Sequence, residues 1–414
     1  MKTIIIHEGQ KNTIQGECKP KEAMEILGLN PKEWKVTARD ITDKAATYTI
    51  ERKDLTLLTG IPIESASSDP EATGGLLEDK PVSTITTGEV SLYREEFEAA
   101  LQVVCDIVSK KALMPVLGMV RIEVTQETLT ISATDLELSY RASIPAIASN
   151  ATAFLVDAGV LYKEVKALNR TVEDVAITVN ADSIQVNGRC TLLASVTDEF
   201  PEIKTATGLE TTIPNLKTAL ASVLPAVSTD ETRFILTGVF FDMAHGYLVS
   251  TDGFRLHRVP IDKTEGIPFV IPRRAAALMH KYGADTLIVN GNQVSSPLVG
   301  GIFTTRVIEG AYPDYATVWP DVSGYHKVHF KVQEFLELIP GILPVSDNAA
   351  IDMTVNGRID IKAESVNGSY RWHVPAESTL SGSSKTIRVN CRFLVDAIKA
   401  YANKETIDLL FPES

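Results

Sequence analysis

The sequence has few cysteines, and they lie far apart. Its 414 residues include four of them, and no two form a Cys-x-x-Cys pair. This spacing argues against a zinc site and against a disulfide framework, and it favours a reducing compartment such as the cytoplasm. The four are Cys18, Cys105, Cys190 and Cys391.

Long hydrophobic runs are also missing. No apolar stretch approaches the roughly 18 residues that a membrane-spanning helix needs, and the N-terminus lacks the charged-then-apolar pattern of a secretion signal. We therefore expect neither membrane insertion nor export. With 44% hydrophobic residues, the chain still has enough apolar material for several cores.

Sequence motifs of common enzymes are absent. The chain contains no GxxxxGK(S/T), no HExxH and no GxSxG, and its seven histidines are scattered. No group of carboxylates stands out as a site for catalytic metal ions. Thr134-Asp135 and Thr251-Asp252 recur at one position of a repeat, which is typical of a turn-capping aspartate. We predict a protein that is not an enzyme and that needs no cofactor or metal.

Lysine and arginine are outnumbered by aspartate and glutamate, and the net charge is −13. Contacts with phosphate require lysine and arginine, so we do not expect a tight DNA-binding surface over the whole molecule. Binding of nucleic acid would require the basic residues to gather on one face.

What the chain does have is an internal repeat. Three segments end alike, in Pro145, Pro260 and Pro375, which are evenly spaced by 115 residues. An amphipathic helical pattern earlier in each copy repeats at Phe97, Leu216 and Phe335, with 119 residues between them. A chance match of short Ile-Pro and Val-Pro pairs is the alternative, and a further anchor argues against it. This is a helical pattern late in each copy, at Val160–Leu168, Arg274–Met279 and Phe393–Lys399.

Each copy is predicted as a strand, a helix, several strands, a second helix and more strands. Repeats of this length are the size of domains. We predict three domains at 89–204, 205–322 and 323–414. The third is short, because only Thr406–Phe411 follows its late helix where the other copies have three strands.

Residues before the first copy follow a different pattern. A strand at Thr3–Ile6, a helix at Lys21–Gly28 and strands around Ala46–Glu51 and Leu55–Leu58 predict a small β-grasp-like module over residues 1–64. Residues 65–88 are rich in Ser, Thr, Gly, Pro and acidic residues, and predict a linker. The module could dock a partner, or it could be a solubility or regulatory appendage.

Several motifs, in this order, resemble the bacterial DNA polymerase III beta subunit, the beta sliding clamp family. They are Leu113-Met-Pro115-Val-Leu117-Gly118, Asp198–Ile203, Leu236–Phe241 with Ser250–Leu256, and Ala311–Tyr315, and the similarity covers roughly residues 89–411. The resemblance implies an α+β DNA-clamp fold with antiparallel sheets outside and paired helices inside. It also implies a cytoplasmic, nucleoid-associated homodimeric ring around duplex DNA. A mildly basic hole is enough for such a ring, which reconciles an acidic chain with a DNA partner.

The resemblance places DNA contacts on or beside the repeated helices. Solvated helix faces are the alternative interpretation for each of these side chains. Asp157, Gly159, Asp230 and Glu231 depart from the family pattern, which predicts weak duplex binding without a loader. The candidates are Lys110, Lys111, Lys163, Lys166, Lys217, Arg233, Arg274 and Lys399.

The resemblance also implies an apolar pocket between the second and third copies. There the family binds short peptides of the replicative polymerase and the clamp loader, and an apolar pocket with an arginine at its edge suits a Leu/Phe-bearing peptide. The alternative is a domain core beside a linker. Phe254 stands where the family often has His. The candidates are Ile235, Leu236, Thr251, Phe254, Arg255, Leu256, Pro313 and Val318.

Ring closure would join the first copy of one subunit to the third copy of the other. Pairing their edge strands would remove exposed sheet edges. The predicted interface residues are Cys190, Leu192, Ile342, Leu343 and Val345. The alternative function is a clamp-like partner-binding or regulatory protein that does not form a closed ring, which the short third copy and the acidic substitutions favour.

Overall fold

The structure is a computed structural model that describes thirteen stretches of the chain. It divides into two compact units, Met1–Glu78 and Asp79–Ser414. The described stretches are 3–5, 11–16, 34–42, 45–52, 84–108, 114–169, 171–205, 207–263, 266–342, 350–355, 358–365, 368–379 and 384–412.

The first unit contains an antiparallel sheet of four described strands. These are β1 (Thr3–Ile5), β2 (Lys11–Gly16), β3 (Trp34–Thr42) and β4 (Ala45–Arg52), in the spatial order β1-β2-β4-β3. The predicted strands at 3–6 and near 46–51 are present as β1 and β4, whereas β2 and β3 were not predicted. The predicted helix at 21–28 and strand at 55–58 lie outside the described residues, as does most of the predicted linker. The β-grasp assignment stays a prediction.

The first copy has the predicted order of elements. Its strand β6 alternates buried and half-buried residues, the period-two pattern of a sheet with one face on the core. Its elements are β5 (Gly88–Tyr93), α1 (Arg94–Ile107), β6 (Met119–Val124), β7 (Thr128–Thr134), β8 (Leu138–Ala148), β9 (Thr152–Asp157), α2 (Ala158–Lys166), β10 (Asp174–Val179), β11 (Ser183–Val186) and β12 (Cys190–Leu193).

The second copy repeats this order element by element. Its members are β13 (Leu209–Thr212), α3 (Leu216–Val223), β14 (Gly238–Asp242), β15 (Tyr247–Thr251), β16 (Leu256–Pro260), β17 (Phe269–Pro272), α4 (Arg273–Tyr282), β18 (Thr286–Asn290), β19 (Gln293–Leu298) and β20 (Gly301–Arg306).

The third copy repeats it too, with its first helix split in two. Among its described residues, nothing corresponds to the last two strands of the other copies. Its members are β21 (His326–Lys331), α5 (Val332–Leu336), α6 (Ile339–Ile342), β22 (Ala350–Val355), β23 (Arg358–Ser365), β24 (Gly368–Ser378), β25 (Lys385–Asn390), α7 (Cys391–Lys399) and β26 (Thr406–Phe411).

The first two copies are joined by a continuous sheet. Strand β8 pairs antiparallel with β20 of the second copy, with Tyr140 opposite Phe303, and both side chains are buried. A single hydrophobic core accordingly runs through both copies. The core of the third copy is separate from it. The joint between the first and second copies is therefore packed differently from the joint between the second and third.

None of the helices in the described ranges is both long enough and apolar enough to cross a membrane.

Candidate functional site

Two helices of each copy pack against each other, as α1 with α2, α3 with α4, and α5 with α7. The described helices together carry nine lysines and arginines against seven aspartates and glutamates. They are therefore slightly basic, whereas the chain as a whole has a net charge of −13. Most of the excess negative charge lies outside these helices, which suits a helix surface that faces polyanionic DNA.

The predicted DNA contacts lie in unequal environments. The four predicted lysines on the described helices are all exposed: Lys163, Lys166, Lys217 and Lys399. The Lys166 ammonium lies 5.2 Å from the centre of the Tyr162 ring. Lys110 and Lys111 lie outside the described residues.

Two of the predicted contacts are arginines that already have acidic partners. Arg274, at the start of α4, forms an ion pair with Asp135 of the first copy and donates to the Asp106 carbonyl at 2.9 Å. Arg233 forms an ion pair with Asp230 at 3.1 Å. Arg274 therefore contributes to the joint between two copies, which sequence spacing could not indicate.

The same joint contains a second polar cluster, around Asp106. Its carboxylate accepts a hydrogen bond from the Tyr282 hydroxyl, and Lys281 lies 2.5 Å away. Burial, followed by the neighbouring Asp106, raises the pKa of Tyr282 well above its ordinary value. The charges of helix α4 are thus largely balanced by the first copy.

The segment after β20 is anchored to the second copy by two tyrosines. The Tyr312 ring stacks on Phe240 with 4.6 Å between centroids. The Tyr315 hydroxyl donates to the buried Asp242 carboxylate at 2.7 Å, and His245 Nδ1 lies 2.9 Å from the same group. Burial raises the pKa of Asp242, but these hydrogen bonds outweigh burial and lower it below its ordinary value. Pro313 is thereby fixed between two anchored side chains.

Several residues of the predicted peptide pocket are unusually exposed for apolar side chains. Phe254 is 82% exposed and Val318 is 69% exposed, while Leu236 is buried. Neighbouring Phe234, which the sequence did not single out, is 57% exposed. A Cβ on Gly310 would lie 3.4 Å from Ile235, so the segment after β20 passes close to this surface. Exposed apolar groups of this size are typical of a binding surface.

Arg255 does not extend freely at the edge of this surface. Its guanidinium binds Asp252 at 3.0 Å, Asp396 of the third copy at 2.6 Å and the Pro225 carbonyl. It also lies over the Phe393 ring, 4.3 Å from its centre. Arg255 thus connects the second and third copies, a role that needs Asp396, which the sequence alone did not identify.

A cavity of about 900 Å³ opens where the second and third copies meet. Of the eight predicted pocket residues, Phe254 and Arg255 line it, together with Arg233, Asp252 and Asp396. The predicted residues Ile235, Leu236, Thr251, Leu256, Pro313 and Val318 are not among its lining. Thr251 instead closes the turn before β16, where its hydroxyl donates to the Arg255 carbonyl at 2.6 Å.

The predicted interface residues fall on two parts of the chain. Cys190 and Leu192 lie on β12, the edge of the long sheet, and Ile342 is buried at the end of α6. Leu343 and Val345 lie outside the described residues. Trp372 on β24, which was not predicted, is 51% exposed. Across the described stretches, no group of three or more His, Cys, Asp or Glu side chains could hold a metal ion.

Comparison with known proteins agrees with these features. The family model of the DNA polymerase III beta subunit N-terminal domain matches residues 89–204, and that of its central domain matches residues 212–314. The beta sliding clamp of Chlamydia pneumoniae is 27% identical over 339 residues, which span 78% of this chain and 92% of the relative.

Solved structures match as well. The DNA polymerase III beta subunit of Thermotoga maritima is 23% identical with a TM-score of 0.70, covering 79% of this chain and 93% of that one. A sliding clamp from Bartonella birtlesii bound to griselimycin is 24% identical with a TM-score of 0.71, covering 78% and 93%. They confirm the predicted DNA-clamp fold. Since the two domain models together match just over half of its residues, the chain belongs to the bacterial DNA polymerase III beta subunit family, the beta sliding clamps.

Proposed function

We propose that two copies of this chain close into a ring around duplex DNA and tether a replicative DNA polymerase. In this role the protein has no catalytic activity of its own and acts in the cytoplasm on nucleoid DNA. The observation that carries the proposal is the β8–β20 pairing between the first and second copies. By the internal repeat, the third copy has an equivalent of β8 in β24, and the first copy has an equivalent of β20 in β12. The two ends of the three-copy array therefore present the same pair of strand edges.

The repeat gives the register of the closing contact. The β23–β24 hairpin matches the β7–β8 hairpin, so Tyr370 corresponds to Tyr140. The β11–β12 hairpin likewise matches β19–β20, and counting from the turn makes the buried Leu192 correspond to the buried Phe303. Because Phe303 lies opposite Tyr140, Leu192 is expected opposite Tyr370 of a second subunit. Isologous pairing of this kind closes a two-subunit ring.

Side-chain exposure supports this contact. Tyr140 is fully buried by the second copy, whereas its counterpart Tyr370 is half-buried and Trp372 is 51% exposed. Within the described residues, the Gly368–Trp372 half of β24 pairs with β23 on one side only. An unpaired strand edge with aromatic side chains favours association with another strand.

Solution mass tests the dimer. A ring predicts about 90 kDa, twice the 45.1 kDa of the chain. A double variant, Leu193→Cys with Ser369→Cys, should form a covalent dimer under mild oxidation, since these positions correspond to the Thr304–Ser139 pair. Leu193→Cys alone is the matched control. A persistent monomer at micromolar concentration would exclude the ring.

Encirclement is tested on circular DNA. A closed ring that has been loaded onto a nicked circle should stay bound and should be lost when the circle is linearised, because topology rather than contact energy retains it. Equal loss from circular and linear DNA would exclude encirclement.

We also propose that the apolar surface around Phe254 and Val318 binds short Leu/Phe-bearing peptides of the polymerase and clamp loader. The exposed Phe234, Phe254 and Val318 support this assignment. Phe254→Ala with Val318→Ser should weaken binding of a fluorescein-labelled hexapeptide ending in Leu-Phe at least tenfold, by anisotropy, and leave the dimer intact. Ile267→Ser, at a separate 84% exposed residue, is the control. Unchanged binding would refute the assignment.

The alternative function is a clamp-like partner-binding protein that does not close. One observation favours it: helix α1 exposes the carboxylates of Glu95 and Glu96, which would repel DNA phosphates. Such a protein would bind the hexapeptide as a monomer, which the mass measurement separates from the ring.

A further inference from the structure

Both joints between copies connect the turn after a hairpin strand of one copy to the late helix of the next, but the charges are reversed. At the first joint, the turn after β7 supplies the carboxylate of Asp135, and helix α4 of the next copy supplies Arg274. At the second joint, the turn after β15 supplies Arg255, and the equivalent helix α7 of the next copy supplies Asp396. The Arg255–Asp396 ion pair is thus a contact found only at the joint between the second and third copies.

We propose that Asp396 is a positioning residue for the peptide-binding surface. By holding Arg255, it fixes the turn that presents Phe254, so peptide affinity depends on a contact from the third copy. The inference rests on the proposed peptide binding and adds to it the coupling of that surface to the joint between the second and third copies.

Arg255 is the centre of the contact. Its side chain is 16% exposed and those of Asp252 and Asp396 are 18% and 33% exposed, so the three charges are largely shielded from water. One guanidinium thus binds two carboxylates and a carbonyl oxygen, with the Phe393 ring beneath it. Such fork geometry is specific to arginine and sensitive to the position of each partner.

The turn itself transmits the constraint to Phe254. Asp252 accepts hydrogen bonds from the backbone N–H groups of Phe254 at 3.0 Å and of Arg255 at 3.1 Å. Gly253 supplies the left-handed φ of +87° that this tight turn requires. Since Asp252 holds both the turn and the guanidinium, release of Arg255 from Asp396 would loosen the turn.

Phe254, Arg255 and Asp396 also line the same cavity of about 900 Å³. A peptide on the Phe254 side and the third copy on the Asp396 side therefore act on one half-buried arginine. This shared contact is the physical route by which the third copy influences peptide affinity.

The test combines peptide affinity with a chemical probe of Arg255. Asp396→Asn should weaken the labelled hexapeptide ending in Leu-Phe about tenfold, the usual effect of losing one charge-assisted hydrogen bond. It should also increase modification of Arg255 by phenylglyoxal, measured by mass spectrometry against the 44% exposed Arg233. Asp396→Glu should restore both readouts, and Arg392→Gln, on the same helix, should change neither.

The outcomes separate the two proposals. If the wild-type protein binds the hexapeptide but Asp396→Asn leaves affinity or Arg255 modification unchanged, the positioning role is refuted alone. If the wild-type protein and the Phe254→Ala variant bind it equally weakly, peptide binding is refuted and the positioning role falls with it. Failure of Asp396→Glu to restore affinity would point to a general loss of packing and also refute the role.

Discussion

At the scale of single residues, buried polar contacts fix the segment between the second and third copies. Asp242 is 8% exposed as a side chain and accepts hydrogen bonds from both Tyr315 and His245. A buried carboxylate without such partners would be costly, because it loses its hydration. The Asp242–Tyr315 contact therefore determines where Pro313 lies.

Tyr315→Phe tests this contact. Removing the hydroxyl leaves Asp242 short of one hydrogen bond and should reduce the free energy of unfolding by about 1–3 kcal/mol. Urea unfolding followed by circular dichroism measures the change. Tyr93→Phe, at a 61% exposed tyrosine, is the matched control and should be neutral. An unchanged midpoint for Tyr315→Phe would contradict the anchoring role.

Asp242 also predicts a pH dependence. Its pKa is lowered in the folded protein, so its charged form stabilises the fold above the unfolded value of about 3.9. That contribution is lost as the pH falls through the lowered folded pKa. The stability difference between wild type and Asp242→Asn should therefore shrink below about pH 4 in unfolding measurements. A difference that is constant with pH would show that the charge contributes nothing.

At the scale of elements, the close approach of β20 to β8 joins the first two copies. A Cβ on Gly301 would lie 2.5 Å from the Arg141 carbonyl oxygen and 2.7 Å from the Ala142 Cβ. Atoms do not approach this closely without displacement of the backbone. Glycine is therefore required at this point of the shared sheet.

Gly301→Ala should destabilise the joined copies by more than 1 kcal/mol, because the β8–β20 ladder must move to admit the methyl group. The matched control is Gly118→Ala, where a Cβ would meet nothing within 4 Å. Urea unfolding of both variants measures the effect. Equal midpoints for the two substitutions would show that the ladder accommodates a side chain.

The elements of the three copies were largely predictable, because periodicity and repeat spacing are local properties of the sequence. The side-chain contacts between copies were not predictable. Arg274 reads as a basic residue on a helix, and its partner Asp135 lies 139 residues away. Asp396 reads as one polar residue on an amphipathic helix, and its pairing with Arg255 depends on how two copies pack. Residues identified by resemblance alone, such as Val318 and Phe254, were found exposed without forming one enclosed pocket.

At the scale of the whole molecule, the distribution of charge predicts that retention on circular DNA does not depend on affinity for linear DNA. An acidic chain with nearly balanced helices makes few net phosphate contacts, so its affinity for linear DNA should be weak. Each neutralised phosphate contributes a slope of about −0.9 to the dependence of log affinity on log salt. We therefore expect a shallow slope on linear duplex, together with retention on nicked circles that is nearly unchanged between about 50 and 200 mM salt. Binding measured by anisotropy and retention measured by gel filtration test the two parts. A steep slope with equal salt sensitivity on both substrates would mean that contact with phosphates, rather than closure around the duplex, holds the protein on DNA.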